Sequence, residues 1–545
     1  MLYATMNSIK EGGEDACDIA VYDVIKCFDS LWNQECINDM WDAGCQDDKL
    51  HMLAKGNESA KVAVKTPGGI SERVTISNLI MQGTVNSGLF CTSTMDKLAK
   101  IVYNDKSLVY KYKGVAEVPP LEMVDDILTI SKCSMTSVTM NATVNAFINN
   151  KKLRLSKEKC CVLHVGKVKG ICNDLKIHGE KMHEADSTKY LGDIIHRNTK
   201  VTANIADRRV KAVASFAIIR AILQDIPLGV YRTEIGLELR QAIFLNSVLN
   251  NSETLHGLKM TDIADIKLVD NQLLRYICKA QEKTPLEFLF LETGATPIDF
   301  IISSRRISYL YEILNRSDNE LIKRVYLAQQ ENPLPGDFAN LVESDCQKIG
   351  VLMNPDWVCV TPKYVFKKWL KQKVKEAAFN ELSSIQASHS KVRDIVYYKL
   401  ETQPYLNNSK FSNSDCELLL ALRSHSVRGI KANCSSIHTK NLSCPFFCDP
   451  SNPQDDQSHL FFCKKILAQL NTDELQATNI SDYSHIYGSL DEQLSVTHIV
   501  RRLLQVRELL LDAPSPSPAS GTSLVTAPPV IQGSNGNYTG FHHVI

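Results

Sequence analysis

Two adjacent carboxylates, Asp125 and Asp126, lie inside the run Leu121–Ile130, LEMVDDILTI, with apolar residues on both sides. The flanks are short and rich in β-branched residues, which predicts a tight hairpin rather than a helix. Two acids held at a strand turn are suited above all to carrying a divalent metal. Without partners, the same pair is a solvated loop. One partner has the right setting: the apolar run Ile19–Tyr22 ends in Asp23, which places a carboxylate at the exposed end of a buried strand. Asp29 follows six residues later, where a helix begins. A second constellation is independent of the acids. Cys444, Cys448, His459 and Cys463 form the pattern C-x3-C-x10-H-x3-C. Thiolate and imidazole in two close pairs are what tetrahedral zinc requires, and four protein ligands leave no open position, so such a zinc would be structural.

These residues need elements to position them. Cys27, Phe28, Leu31 and Trp32 fall at helical spacing after Asp23, with Gly44 as a C-cap. Lys61–Val64 and Ile70–Ile76 flank Thr66-Pro67-Gly68-Gly69, a hairpin signal. In the stretch Gln82–Phe90, Gly83 permits a ligand to approach the backbone, and Asn86 or Ser87 can start a helix. Beyond the acidic hairpin, Met140, Val144, Phe147 and Ile148 predict one face of an amphipathic helix. Cys160–Val165 reads as a strand, and Lys189–Gly192 closes a hairpin after Leu175–Met182. From Val201 the pattern is helical: Ala206, Val210, Val213, Ala217 and Ala221 make one apolar stripe, with Arg208, Arg209, Lys211 and Arg220 off it. From Ala513 the chain is rich in Pro, Ser, Gly and Thr and is expected to be disordered.

Composition bounds the classes. At 545 residues with 44% hydrophobic and 22% charged content, this is ordinary globular composition for several domains. No stretch approaches the roughly 18 apolar residues of a membrane span, and no secretory signal is visible at the start. The 17 cysteines are mostly scattered, which suits a reducing, intracellular compartment, nuclear or cytoplasmic. Lys+Arg and Asp+Glu both total 61, so any nucleic-acid role must rest on local clusters. Two exist: Lys151–Gly170, with Glu158 its single acid, and Lys363–Lys375, with six lysines and no acid around Trp369.

Taken in order, these motifs resemble the reverse transcriptase of non-LTR (LINE-type) retrotransposons. Asp23-x4-Phe28-Asp29 looks like that family's first palm motif, and Gln82-Gly83 with Ser87 and Phe90 resembles the second. Met123-Val124-Asp125-Asp126 stands where the family carries its acidic pair. Leu155–Lys159 is similar to the lysine-bearing motif that follows, Tyr190-Leu191-Gly192 to the primer grip, and the Cys–His cluster to the knuckle after the thumb. The resemblance implies an RNA-directed DNA polymerase that takes an RNA template, a DNA primer and dNTPs, with two Mg²⁺ ions on Asp23, Asp125 and Asp126 and one structural Zn²⁺ on the Cys–His cluster. By the same resemblance, Phe28 lies under the sugar, Gln82 and Gly83 border the nucleotide, Lys159 protonates the leaving pyrophosphate, and Arg208, Arg209 and Lys211 track the template–primer backbone. The fold it implies is α+β: an antiparallel palm sheet with helices on one face, a helical thumb and connection, and a small zinc knuckle. The corresponding units are 1–197 for the palm, 198–260 thumb, 261–435 connection, 436–470 knuckle, 471–512 a helical segment and 513–545 the tail. Met81 replaces a common proline, and neither a fingers region nor an endonuclease is recognised. The expectation is therefore the C-terminal part of such a polymerase, with a silent remnant that binds RNA or DNA as the alternative.

Overall fold

The computed structural model describes residues 1–13, 16–57, 61–75, 87–166, 174–225, 231–255, 261–427, 430, 443–446, 448, 454–480 and 483–512. The strand Ala16–Asp23 is apolar on both faces, and such a strand belongs in the middle of a covered sheet. It is the centre of five, flanked on one side by Asp126–Ser131 and Leu121–Met123, and on the other by Cys161–Gly166 and His183–Glu184. All pairs are antiparallel except the outer one, where Cys161–Gly166 and His183–Glu184 run parallel.

Side chains alternate across this sheet with period two, so the two faces build two cores. Ala20, Tyr22, Ile127 and Val162 pack with Met95 and Leu98 of the helix Ser87–Asn104 and with Met140 and Val144 of the helix Ser134–Asn150. Ile19, Val21, Leu128 and Leu163 pack on the other face with Met6 of the helix Leu2–Lys10 and with Val325 and Ala328 of the helix Leu321–Glu331. The expectation of helices on one face alone is thus corrected. The unbroken apolar run Ile19–Tyr22 requires cover on both sides.

Locally, the sequence pattern holds with adjustments. Met140, Val144, Phe147 and Ile148 are the buried face of their helix, as the spacing predicts. The helix expected after Asp23 is broken into Cys27–Ser30 and Asn33–Asp42, because Leu31 is extended. The Tyr190-Leu191-Gly192 turn does not close a hairpin begun at Leu175. Lys176–Ile177 pairs with Glu180–Lys181, and Ser187–Tyr190 pairs separately with Asp193–His196.

The rest is helical, and one hydrophobic core runs through it from Ala212 to Val506. Buried charges are met by specific partners. Arg240 makes a bidentate pair with Asp270 at 2.6 and 2.7 Å. Arg423 and Tyr405 both bond Glu292, at 2.8 and 2.7 Å. Asp337 joins the helical body to the sheet unit, accepting from Asn7 at 2.8 Å and pairing with Lys113 at 2.9 Å.

The largest departure from the sequence pattern is on the helix Thr202–Asp225. Its buried face is Asn204, Arg208, Ala212, Ser215, Ile219 and Leu223, while the expected stripe faces outward, with Val210 68% and Val213 54% exposed. Polar groups decide this orientation. Arg208 must reach the buried Asp193, and Ser215 bonds Ser247 at 2.8 Å. Among the described residues, no helix is long and apolar enough to cross a membrane.

Candidate active site and metal centre

The acids from distant parts of the chain meet through strand register. Asp23, the last residue of the central strand, is the direct cross-strand partner of Asp126, the first residue of its neighbour. Asp125 sits beside them in the two-residue turn that connects Met123 to Asp126. That turn is strained: Val124 has φ 62°, a conformation a β-branched residue rarely adopts and which costs on the order of 1–3 kcal/mol. Val124 holds it because its side chain packs against the core beneath the sheet. The strain fixes where Asp125 points.

Lys159 reaches the same place through the backbone. Leu155 bridges Val24, the Ile25 N–H donates to the Arg154 carbonyl at 2.8 Å, and the Ser156 N–H donates to the Asp23 carbonyl at 2.9 Å. This latch carries Lys159 Nζ to 3.2 Å from Asp23 Oδ1. Burial raises the Asp126 carboxyl above the usual range. The charges of Asp125 and Asp23 add to that rise, and Lys159 opposes it. Carboxylates that repel in this way are the setting that a divalent cation relieves.

A cavity of about 330 Å³ opens beside the Asp23–Asp126 pair, and Lys159, His183 and Lys189 also line it. Sequence reasoning missed His183 and Lys189. Their only signal was position, since Lys189 immediately precedes the Tyr190-Leu191-Gly192 turn. Glu122 was missed too. It lies behind the acidic turn, where burial pushes its carboxyl up to about 8 and Oε1 has no hydrogen-bond partner.

The remaining expected residues are placed as follows. Phe28 is half-buried against the core beneath the sheet. Gln82 and Gly83 lie outside the described residues. Leu191 and Gly192 form a two-residue hairpin turn with φ 47° and 86°, the left-handed pair such a loop requires. The Tyr190 hydroxyl donates to the Leu121 carbonyl at 3.1 Å, which ties this hairpin to the acidic one. Arg208 is not a surface contact. It is 4% exposed, and its guanidinium is occupied by Asp193 at 2.7 Å, Asn204 at 2.5 Å and the Val248 carbonyl at 2.6 Å. Its nucleic-acid role is therefore corrected to a structural one: the guanidinium is buried and committed to three partners, out of reach of a backbone phosphate. Arg209 and Lys211 do reach solvent, paired with Asp265 at 3.1 Å and Asp207 at 2.6 Å.

The second site is built far from the acids. The ligand atoms of Cys444, Cys448, His459 and Cys463 all lie within 4.8 Å of one another. Cys444 Sγ is 3.9 Å from Cys463 Sγ, and Cys448 Sγ is 3.3 Å from His459 Nε2. A zinc ion with four bonds of about 2.3 Å separates its ligands by roughly 3.8 Å, so this donor set fits the ion. Asp456 accepts the His459 N–H at 2.8 Å and shapes the turn that presents the imidazole. Among the described residues, this is the one group of three or more potential ligands gathered so tightly, and the acids of the sheet are more open.

Residues 5–195 match the family described as reverse transcriptase (RNA-dependent DNA polymerase), a stretch that contains the five-stranded sheet and all the acids above. The match covers about a third of the chain, and over that stretch the chain is similar to reverse transcriptases. Among solved structures, similarity extends to apo telomerase from Candida tropicalis, with 11% identity, a TM-score of 0.31, and coverage of 60% of this chain and 54% of that one. Telomerase from Candida albicans, in complex with a fragment of telomeric RNA, is similar at 13% identity and TM-score 0.28, covering 63% and 54%. The chain thus spans about half the length of these telomerase chains. No curated protein sequence matches it.

Proposed function

We propose that this chain is an RNA-directed DNA polymerase of the non-LTR retrotransposon type, extending a DNA primer with dNTPs on an RNA template inside the cell. The observation that carries this reading is the meeting of Asp23 and Asp126 as register partners, with Asp125 in the adjoining turn and Lys159 on Asp23. Asp23, Asp125 and Asp126 would hold two Mg²⁺ ions, which supply charge for the attacking and leaving oxygens of an in-line displacement. The chain's own residues do the rest. Lys159, beside Asp23, would protonate the leaving pyrophosphate, Phe28 with Gln82 and Gly83 would border the nucleotide, and the Tyr190–Gly192 turn would support the primer end. Zinc on the Cys–His cluster would be structural.

Primer extension on an RNA template in Mg²⁺, with the full chain beside Asp125→Ala/Asp126→Ala, tests the proposal. Incorporation by the wild type that falls at least about a thousandfold in the double variant supports it. A second reading, a remnant that binds RNA or DNA without copying it, draws on one observation: the acid side chains are not gathered as tightly as the Cys–His ligands. Absence of dNTP addition, with primer–template binding retained, would select that reading. If Lys159 is the proton donor, Lys159→Met lowers turnover by about 10²–10⁴-fold. Unchanged turnover would remove that role.

A further inference from the structure

The lysine cluster at Lys363–Lys375 has no part in the chemistry above, yet it is not a uniformly solvated face. It forms the first half of the helix Lys363–Ser388, which buries Phe366, Leu370 and Val374 in the helical core. Tyr364, Lys367, Lys368, Lys371 and Lys375 fall within about 100° of one another around the helix axis, since each residue advances the turn by about 100°. Tyr364 is 76% exposed. Two lysines of the cluster are neutralised, Lys363 by Glu312 at 2.6 Å and Lys373 by Glu376 at 2.8 Å. Lys367, Lys368 and Lys371 are exposed and have no acidic partner among the described residues.

Three of these lysines face a cavity of about 480 Å³. Lys367, Lys371 and Lys375 line one wall, and the hydroxyls of Thr296, Ser304 and Ser308 belong to the other. No carboxylate lines it. Lysines on one side, hydroxyl-bearing residues on the other and no acid in the lining give this cavity a chemistry that suits an anion. Lysines one helical turn apart are about 6 Å apart along the axis. The row therefore suits a ligand with several anionic groups in line rather than a single ion. An exposed tyrosine on the same face adds a platform for a stacked base, which an acidic peptide would not use.

We infer that the groove between the helices Lys363–Ser388 and Ile298–Leu314 binds the phosphodiester backbone of single-stranded RNA, at a site separate from the Asp23–Asp126 pair. Lys367 and Lys371 neutralise phosphates one helical turn apart in the groove, Lys368 beside them on the same helix holds a phosphate at its rim, the Thr296, Ser304 and Ser308 hydroxyls donate to phosphate oxygens, and Tyr364 stacks on a base. The site adds a second hold on RNA to the polymerase reading and requires no chemistry at the acids.

Fluorescence anisotropy of the full chain with labelled single-stranded RNA, over a series of salt concentrations, tests this. Loss of three phosphate contacts in Lys367→Gln/Lys368→Gln/Lys371→Gln reduces the slope of log K against log salt by about 2, and weakens binding about 50-fold at 0.15 M salt. Tyr364→Ala weakens binding by at least about fivefold. A charge-matched control, Lys100→Gln/Lys399→Gln/Lys410→Gln, replaces lysines that already pair with acids and leaves the slope unchanged. Equal slopes in wild type and the groove variant, or equal losses in groove and control variants, would overturn the inference. So would a poly-glutamate peptide that competes as well as RNA of equal charge. Because all the groove substitutions are at exposed positions, thermal unfolding of the variants should match the wild type. RNA binding that responds to the groove variant in a chain unable to extend a primer would leave this inference standing and defeat only the polymerase reading.

Discussion

At the scale of single residues, the acidic site is a balance of repulsion and restraint. Asp126 is crowded by Asp125 and Asp23, and Lys159 supplies the compensating charge. Glu122, just before the turn, feels burial first and the charge of Asp96 second, and its carboxyl rises to about 8. A carboxylate paired with a cation is depressed and stabilises the fold above its unfolded pKa; Glu122, buried without a cation, does the reverse. Below pH of about 4.5 it is protonated in both folded and unfolded chains and costs nothing. Between about 4.5 and 8 the unfolded chain loses the proton and the folded one retains it, so stability falls as pH rises through that window. Glu122→Gln should remove this dependence and stabilise the chain at pH 7 by on the order of 2–3 kcal/mol. Denaturation of both proteins at pH 5 and pH 7 checks it: the gain should be present at pH 7 and nearly absent at pH 5.

Some elements are locked to one another by buried ion pairs as well as by apolar packing. The hairpin Ser187–Tyr190/Asp193–His196 is held to the helix Thr202–Asp225 by Asp193 with Arg208, and Asn251 adds a bond to Asp193 at 3.1 Å. Removing one partner leaves the other charged and buried, which typically costs about 3–5 kcal/mol. Asp193→Ala should lose stability of that order in urea. Arg208→Met, which leaves Asp193 without its guanidinium, should do likewise. The hairpin also touches the acidic turn through Tyr190, so on the polymerase reading proposed above Tyr190→Phe should alter primer positioning with little change in global stability. A KM for primer that rises while the urea midpoint stays fixed is the expected split.

At the scale of the whole molecule, the Cys–His cluster is embedded rather than appended. Cys444 and Cys463 belong to the same hydrophobic core as Phe244, Phe288 and Val500. Arg507 of the helix Leu490–Asp512 pairs with buried Asp455 at 2.8 Å, between the two ligand pairs. One zinc per chain is the expected content by elemental analysis. Its removal by a chelator should lower the melting temperature of the helical body as a unit, because a structural zinc contributes directly to folding. A chelated chain that melts unchanged would show that the cluster holds no structural metal.

Much of the site was legible in the residue order. The Asp125-Asp126 turn followed from short apolar flanks, the helix Ser134–Asn150 from its period, and the four potential zinc ligands from spacing alone, because these features are local and each is encoded within about twenty residues. The expectations that failed depended on partners far away in the chain. The helix Thr202–Asp225 carries two usable faces, one apolar and one that mixes Ala212, Ile219 and Leu223 with polar groups. Only the presence of Asp193 and Ser247 on the inner side turned Arg208 and Ser215 inward and left Val210 and Val213 in solvent. Likewise, nothing near Lys367 or Lys371 in sequence distinguishes a solvated face from a groove. That distinction comes from the helix Ile298–Leu314 placed opposite, which brings Ser304 and Ser308, and no carboxylate, to the cavity between them. Period and spacing determined what each segment could be. Which face was buried, and which charge met which partner, was decided by tertiary packing, because an ion pair or a cavity wall exists only when two distant segments are brought together.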